Sequence, residues 1–207
     1  MRNINEYINE KLNLTKDFVP NEYHFHPKDK AELKLVIAKL LKERGNSADM
    51  TDVDTSEIKD MSHLFKDFAD IIEDIDISNW DVSKVTNMES MFSKCKKFNC
   101  DLSVWNTENC KDMFAMFNEC ERFNSNLNAW NVENVDTFKS MFYNCKSFNG
   151  DITKWKPKEG ADFNYMLYGC EKFKHDLTSW GFKESRRATY MFKNSGVKKL
   201  PNWAKRK

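Results

Sequence analysis

Six cysteines, four histidines and thirty-two carboxylates are the side chains of this 207-residue sequence that could do chemistry. Their spacing speaks for structure rather than reaction. Cys95, Cys120, Cys145 and Cys170 fall 25 residues apart, and Ser195 closes the series. Thiols that recur at one small position read as buried packing side chains. Disulfides between neighbours, or a metal site, are the alternatives. No C-x-x-C pair is present, and a straight file of thiols is a poor tetrahedral site. Cys110 shares a column with Val85 and Val135 and reads as core. Cys100 shares a turn column with Ser125, Gly150 and His175, and is the thiol expected to be reachable. His24 and His26 flank Phe25 ahead of Pro27 and read as turn residues rather than metal ligands. His63 and His175 stand apart, with no Ser or Cys spaced beside either as a nucleophile. No glycine loop for phosphate occurs. Neither catalytic residues nor a metal or cofactor is expected, so the chain reads as a non-enzyme. Reduced thiols fit a cytoplasmic or anaerobic setting, and the former is the expected location.

The elements that carry the cysteines repeat as a whole. Trp80, Trp105, Trp130, Trp155 and Trp180 keep the same 25-residue step, with Trp203 following after 23. Val53 takes the equivalent place before Trp80. Phe98, Phe123, Phe148 and Phe173 form one further column, Ile77, Leu102, Leu127, Ile152 and Leu177 another, and Met91, Met116, Met141, Met166 and Met191 a third. A fixed period of this length marks stacked units that cannot bury their apolar face alone. Within a unit, Met88, Met91, Phe92, Cys95 and Phe98 lie on one face at helical spacing, and Leu102 to Thr107 reads as extended. One short helix and one short strand per unit are therefore expected, with strands side by side in a parallel sheet. Asn99, Asn124 and Asn149 are expected to form an internal ladder onto turn backbone, and Asp101, Asn126, Asp151 and Asp176 to make Asx turns.

The string Trp80-Asp81-Val82-Ser83-Lys84-Val85-Thr86-Asn87-Met88-Glu89-Ser90-Met91-Phe92, followed by Cys95, Phe98-Asn99 and Asp101-Leu102, closely resembles the BspA-like leucine-rich repeat. The likeness covers about residues 50–203. Tyr23 to Lys28 with Glu32-Leu33 resembles the segment that often enters these repeats. The resemblance implies a right-handed α/β, leucine-rich-repeat-like solenoid of about six coils. It also implies binding or adhesion, mostly in bacterial surface or lipid-anchored proteins. The start of this chain reads as lacking a secretion signal or lipidation site, so the expected location stays cytoplasmic.

Residues 1–49 read as a helical N-terminal cap, 50–203 as the repeats and 204–207 as a basic tail. Leu33, Val36, Ile37, Leu40 and Leu41 predict an amphipathic helix from about Pro27 to Arg44, stopped at Gly45. Ile4, Tyr7, Ile8 and Leu12 suggest a weaker helix before it. The net charge of +1 disfavours wholesale nucleic-acid binding but hides an asymmetry. Residues 49–81 hold eleven acidic and two basic side chains, and residues 183–207 hold nine basic and one acidic. No apolar stretch approaches the roughly 18 residues of a membrane span.

Function is expected at the outward positions that break their columns. The tenth position after each Trp runs Ser90, Ala115, Ser140, Tyr165, Tyr190, and the thirteenth runs Ser93, Asn118, Tyr143, Tyr168, Lys193. Phe114 sits at the ninth. A partner-binding patch of Phe114, Tyr143, Tyr165, Tyr168 and Tyr190 beside Arg186, Arg187 and Lys193 is expected, because Tyr and Arg dominate interaction hot spots. The expected activity is protein–protein interaction. An intracellular inhibitor or effector of phage or mobile-element type, blocking a host or defence protein, is the alternative. Nucleic acid or a nucleoprotein at the basic end, through Arg186, Arg187, Lys198 and Lys199, is a further one, and predicts a steep salt dependence.

Overall fold

A computed structural model describes residues 23–182 and 187–204. The expected first helix, Arg186 and the tail residues 205–207 lie outside the described residues. Helix α1 spans Lys30–Arg44, shorter at its start than Pro27 suggested. Asp29 is the reason: its carboxylate accepts the N–H groups of Ala31 and Glu32, which fixes the cap there. Gly45, at φ 83°, ends the helix by donating its N–H to Leu41. Leu33, Val36, Ile37, Leu40 and Leu41 form the buried face.

After α1 the chain folds as stacked units joined by parallel bridges. Asp60 bridges to Asn87, Asn87 to Asp112, Asp112 to Thr137, and Thr137 to Asp162. In the unit from Met88, the N–H groups of Met88, Ser90, Phe92 and Lys94 donate to Asp112, Phe114, Met116 and Asn118 of the next unit. The N–H groups between them turn inward: Met91 donates to Met88, Ser93 to Ser90, and Cys95 to Phe92.

That alternation is incompatible with an α-helix, in which every N–H donates four residues back along its own chain. Left-handed residues produce it, at Ser90 (φ 52°) and Lys94 (φ 68°), and at the same places in later units. Among the described residues the helix expected over Met88–Phe98 is therefore a run of tight turns, although the face it buries is the expected one. Leu102–Thr107 likewise is no strand: it turns at Ser103–Val104 and is otherwise irregular.

The columns become ladders of side chains. Trp105, Trp130, Trp155, Trp180 and Trp203 stack in sequence at 5.8 to 6.4 Å between rings. Each indole N–H also reaches a carbonyl of the preceding unit, as Trp155 does to Leu127 at 2.7 Å. Phe92, Phe117 and Phe142 stack at 5.4 and 5.6 Å, and each packs within its unit on Phe98, Phe123 or Phe148 at 4.0 to 4.2 Å. Offset aromatic stacking adds to the area these rings bury. The Asn column does form a ladder: Asn99 Oδ1 accepts from the Asn124 N–H, and Asn124 Oδ1 from the Asn149 N–H, at 2.9 and 2.7 Å. It lies on the exposed surface, not inside as expected. The reason is that the turn N–H groups it serves point outward beside the buried phenylalanines.

The irregular first unit uses its extra residues in a short 3-10 turn at Lys66–Phe68. Ile72 is then buried, as the Phe98 column of later units is, and Ile71 is left exposed.

Candidate partner-binding surface

Candidate chemistry fails first at the thiols. All six are free and buried. Cys120, Cys145 and Cys170 donate to the carbonyls of Phe92, Phe117 and Phe142, one unit back, at 2.8 to 2.9 Å. The thiol column thus serves as a set of hydrogen-bond donors between units. Burial pushes Cys95 and Cys110 up to about 12 and Cys120 and Cys145 well above the ordinary thiol range. Cys100, expected to be reachable, is 8% exposed, and burial pushes it up to about 11. Its turn tucks the side chain under Asp101, whose carbonyl accepts from the thiol at 3.6 Å.

The histidines meet carboxylates that spacing did not reveal. His24 Nδ1 lies 3.1 Å from Asp52, and His26 Nδ1 lies 3.3 Å from Asp54. Phe25 bridges to Val53, so the first strand-like segment sets each histidine beside its aspartate. His63 lies 3.6 Å from Glu89, and His175 Nε2 lies 2.9 Å from the Asn149 carbonyl. Among the described residues no three of these groups converge as metal ligands.

The tyrosines do come together. Tyr143 and Tyr168 stack at 4.9 Å with rings 9° from parallel. Tyr165 packs on Tyr168 at 6.2 Å and on Tyr190 at 5.4 Å. Lys193 holds its ammonium 5.9 Å from the Tyr168 ring and 5.2 Å from that of Tyr190, within cation–π range. Asn194, which column reasoning passed over, donates its side-chain N–H to the Tyr168 hydroxyl at 3.3 Å. The one-unit offset from Tyr143 to Tyr168 is what allows the stack, since equivalent positions in adjacent units lie side by side. Tyr190 is 53% exposed, and Tyr143, Tyr165 and Tyr168 are half-buried.

Two expected members sit differently. Phe114 pairs with Lys139, whose ammonium lies 5.9 Å from its ring, and makes no ring contact with the tyrosines among the described residues. Lys139 follows Phe114 by one period, a spacing that could have exposed the pair in the sequence. Arg187 is exposed and donates to the Gly160 carbonyl at 3.4 Å, away from the rings.

Units of about 25 residues that share one buried face and pass hydrogen bonds from each to the next define a repeat protein, with its variable side chains on the outside. The chain belongs to the family described as "Mycoplasma protein of unknown function, DUF285", which matches residues 37–144 and 109–203. No curated protein and no solved structure matches it. Among the described residues no helix is long and apolar enough to cross a membrane.

Proposed function

We propose that the chain is a non-enzymatic protein-interaction module, built as a right-handed, leucine-rich-repeat-like solenoid of the BspA-like kind. Its partner rests on the outward tyrosines of the later units. The observation that carries this reading is the cluster of Tyr143, Tyr165, Tyr168 and Tyr190 around Lys193, on columns where earlier units carry Ser, Ala and Asn. Tyrosine offers a large, amphipathic contact area at low side-chain entropy, and aromatic anchors dominate hot spots. Backbone strain supports the same reading. Tyr165 and Tyr190 both sit at positive φ, 60° and 55°, where a bulky residue costs more than the Ser or Ala of other units. Rings kept at strained positions, and left partly exposed, serve a contact outside the chain.

The test is affinity capture from cells of the source organism, quantified by mass spectrometry, with the native chain and a Tyr165→Ser/Tyr168→Asn variant. These substitutions install residues that other units carry at the same places, so the scaffold is retained. The reading expects a protein that the variant loses and that moderate salt does not release. A folded variant that retains every partner would refute it. So would capture of nucleic acid alone, with affinity falling steeply as salt rises.

A further inference from the structure

The ladder between units has a direction, and its donors in the last unit are unmatched among the described residues. Phe163, Tyr165, Leu167 and Gly169 donate their N–H groups to the carbonyls of Arg187, Thr189, Met191 and Lys193 at 2.7 to 3.0 Å. One period on, the equivalent donors are the N–H groups of Ala188, Tyr190, Phe192 and Asn194, and among the described residues none of these four N–H groups has an acceptor. The carbonyls of Ala188, Tyr190 and Phe192 are already taken by the N–H groups of Met191, Lys193 and Ser195. The edge therefore offers donors at every second residue and asks for a chain that supplies carbonyls at the same pitch. Unpaired edges of this kind are templates for an added extended segment.

The surroundings narrow what that segment is. A groove of about 450 Å³ runs along the edge, lined by Tyr190, Met191, Phe192, Lys193, Leu200 and Ala204. Leu200 and Lys193 are exposed on it, and Lys198 and Lys199 are exposed on a separate cleft with Lys174, His175 and Asp176. A second copy stacked head to tail does not fit, because α1 covers the opposite end of the stack and Lys30 is bonded there to Asp60 and Ser62.

We propose that this edge binds an extended, acidic segment of a protein partner. Its carbonyls pair with the N–H groups of Ala188, Tyr190, Phe192 and Asn194 as one more step of the ladder. An apolar side chain lies against Leu200 and Phe192, and a carboxylate meets Lys193. The inference rests on reading this end as a protein-binding surface, and adds what the partner presents to it.

The test uses the full chain, a synthetic peptide alternating Asp and Val, and a Lys–Val peptide of the same length. Amide hydrogen exchange is followed by NMR. The N–H groups of Tyr190, Phe192 and Asn194 are expected to exchange fast in the free chain. The Asp–Val peptide should slow them at least about tenfold, and Lys193→Glu should weaken its binding about tenfold. Unchanged exchange at these amides in the bound complex, equal binding of the Lys–Val peptide, or no binding at millimolar peptide would each overturn the proposal. Stronger protection of the same amides by a single-stranded oligonucleotide would overturn it too. If these amides stay unprotected while Tyr165→Ser/Tyr168→Asn still loses the cellular partner, the edge proposal fails alone. The opposite pattern sinks the tyrosine reading alone.

Discussion

At the scale of single residues, the thiols are the sharpest case of side chains that look reactive and are not. The thiolate is the reactive form, and burial suppresses it at every cysteine of the stack. A disulfide-exchange reagent at pH 8 is expected to leave all six cysteines untouched in the native chain and to titrate six after unfolding. A thiol that reacts at once in the folded protein would contradict that packing. Backbone conformation gives a second prediction. Lys94 is exposed and left-handed, so Lys94→Gly is expected to raise stability by about 0.5 kcal/mol. A Cβ on Gly150 would lie 2.0 Å from the Ser125 carbonyl oxygen, so Gly150→Ala should cost about 2 to 4 kcal/mol. Urea unfolding of the two variants reads both signs. The columns of Trp, Cys and Phe were legible because one side chain is copied at one place. The left-handed positions were hidden, since only Gly169 among the five aligned with Lys94 is glycine.

At the scale of elements, α1 shows how the cap is held. Arg44 makes two bonds to the Asp52 carboxylate, at 2.7 and 2.8 Å, while Lys30 and Lys34 reach Asp60 and Asp67 at 2.6 and 3.0 Å. Burial works against the Asp52 carboxylate, but the bonds from Arg44 outweigh it and hold the group below its ordinary value. Asp60 behaves the same way, with Lys30 as its main partner. A lowered folded-state value contributes stability above the unfolded value of about 3.9, and that stability is lost as pH falls further. Helix docking is therefore expected to be constant near neutrality and to weaken below about pH 4. Arg44→Met should cost about 1 kcal/mol at pH 7 and flatten the acid limb of the unfolding curve. An unchanged acid limb would remove Arg44 from the account. The helix itself was legible from five apolar positions and a Gly stop, whereas its start was read at Pro27 and the Asp29 cap sets it at Lys30. The repeat segments misled for a physical reason. Turns that send alternate N–H groups to the next unit bury residues at spacings of 3, 1, 3 and 3, the same as a helix would.

At the scale of the whole molecule, the charge asymmetry of the sequence becomes one-sided. Much of the acidic start is answered internally, by α1 and by Lys84, Lys97 and Arg122 from later units. The basic finish keeps Lys193 exposed against the tyrosines, and Arg187, Lys198 and Lys199 exposed elsewhere on the last units. Sequence reasoning pointed to this end through its side chains. It could not see the edge, because a main-chain N–H without a partner leaves no mark in residue type. What we propose the stack presents to a partner is thus concentrated at its last units: stacked phenols, an exposed Lys193 and donors unpaired among the described residues.

The most direct measurement of that claim is the affinity of the captured protein partner, by calorimetry, for the native chain and for a Tyr143→Ser/Tyr165→Ser/Tyr168→Asn variant with native-like thermal unfolding. The account predicts a loss of at least about thirtyfold, as for the removal of hot-spot side chains. Equal affinity for the two folded chains would contradict it.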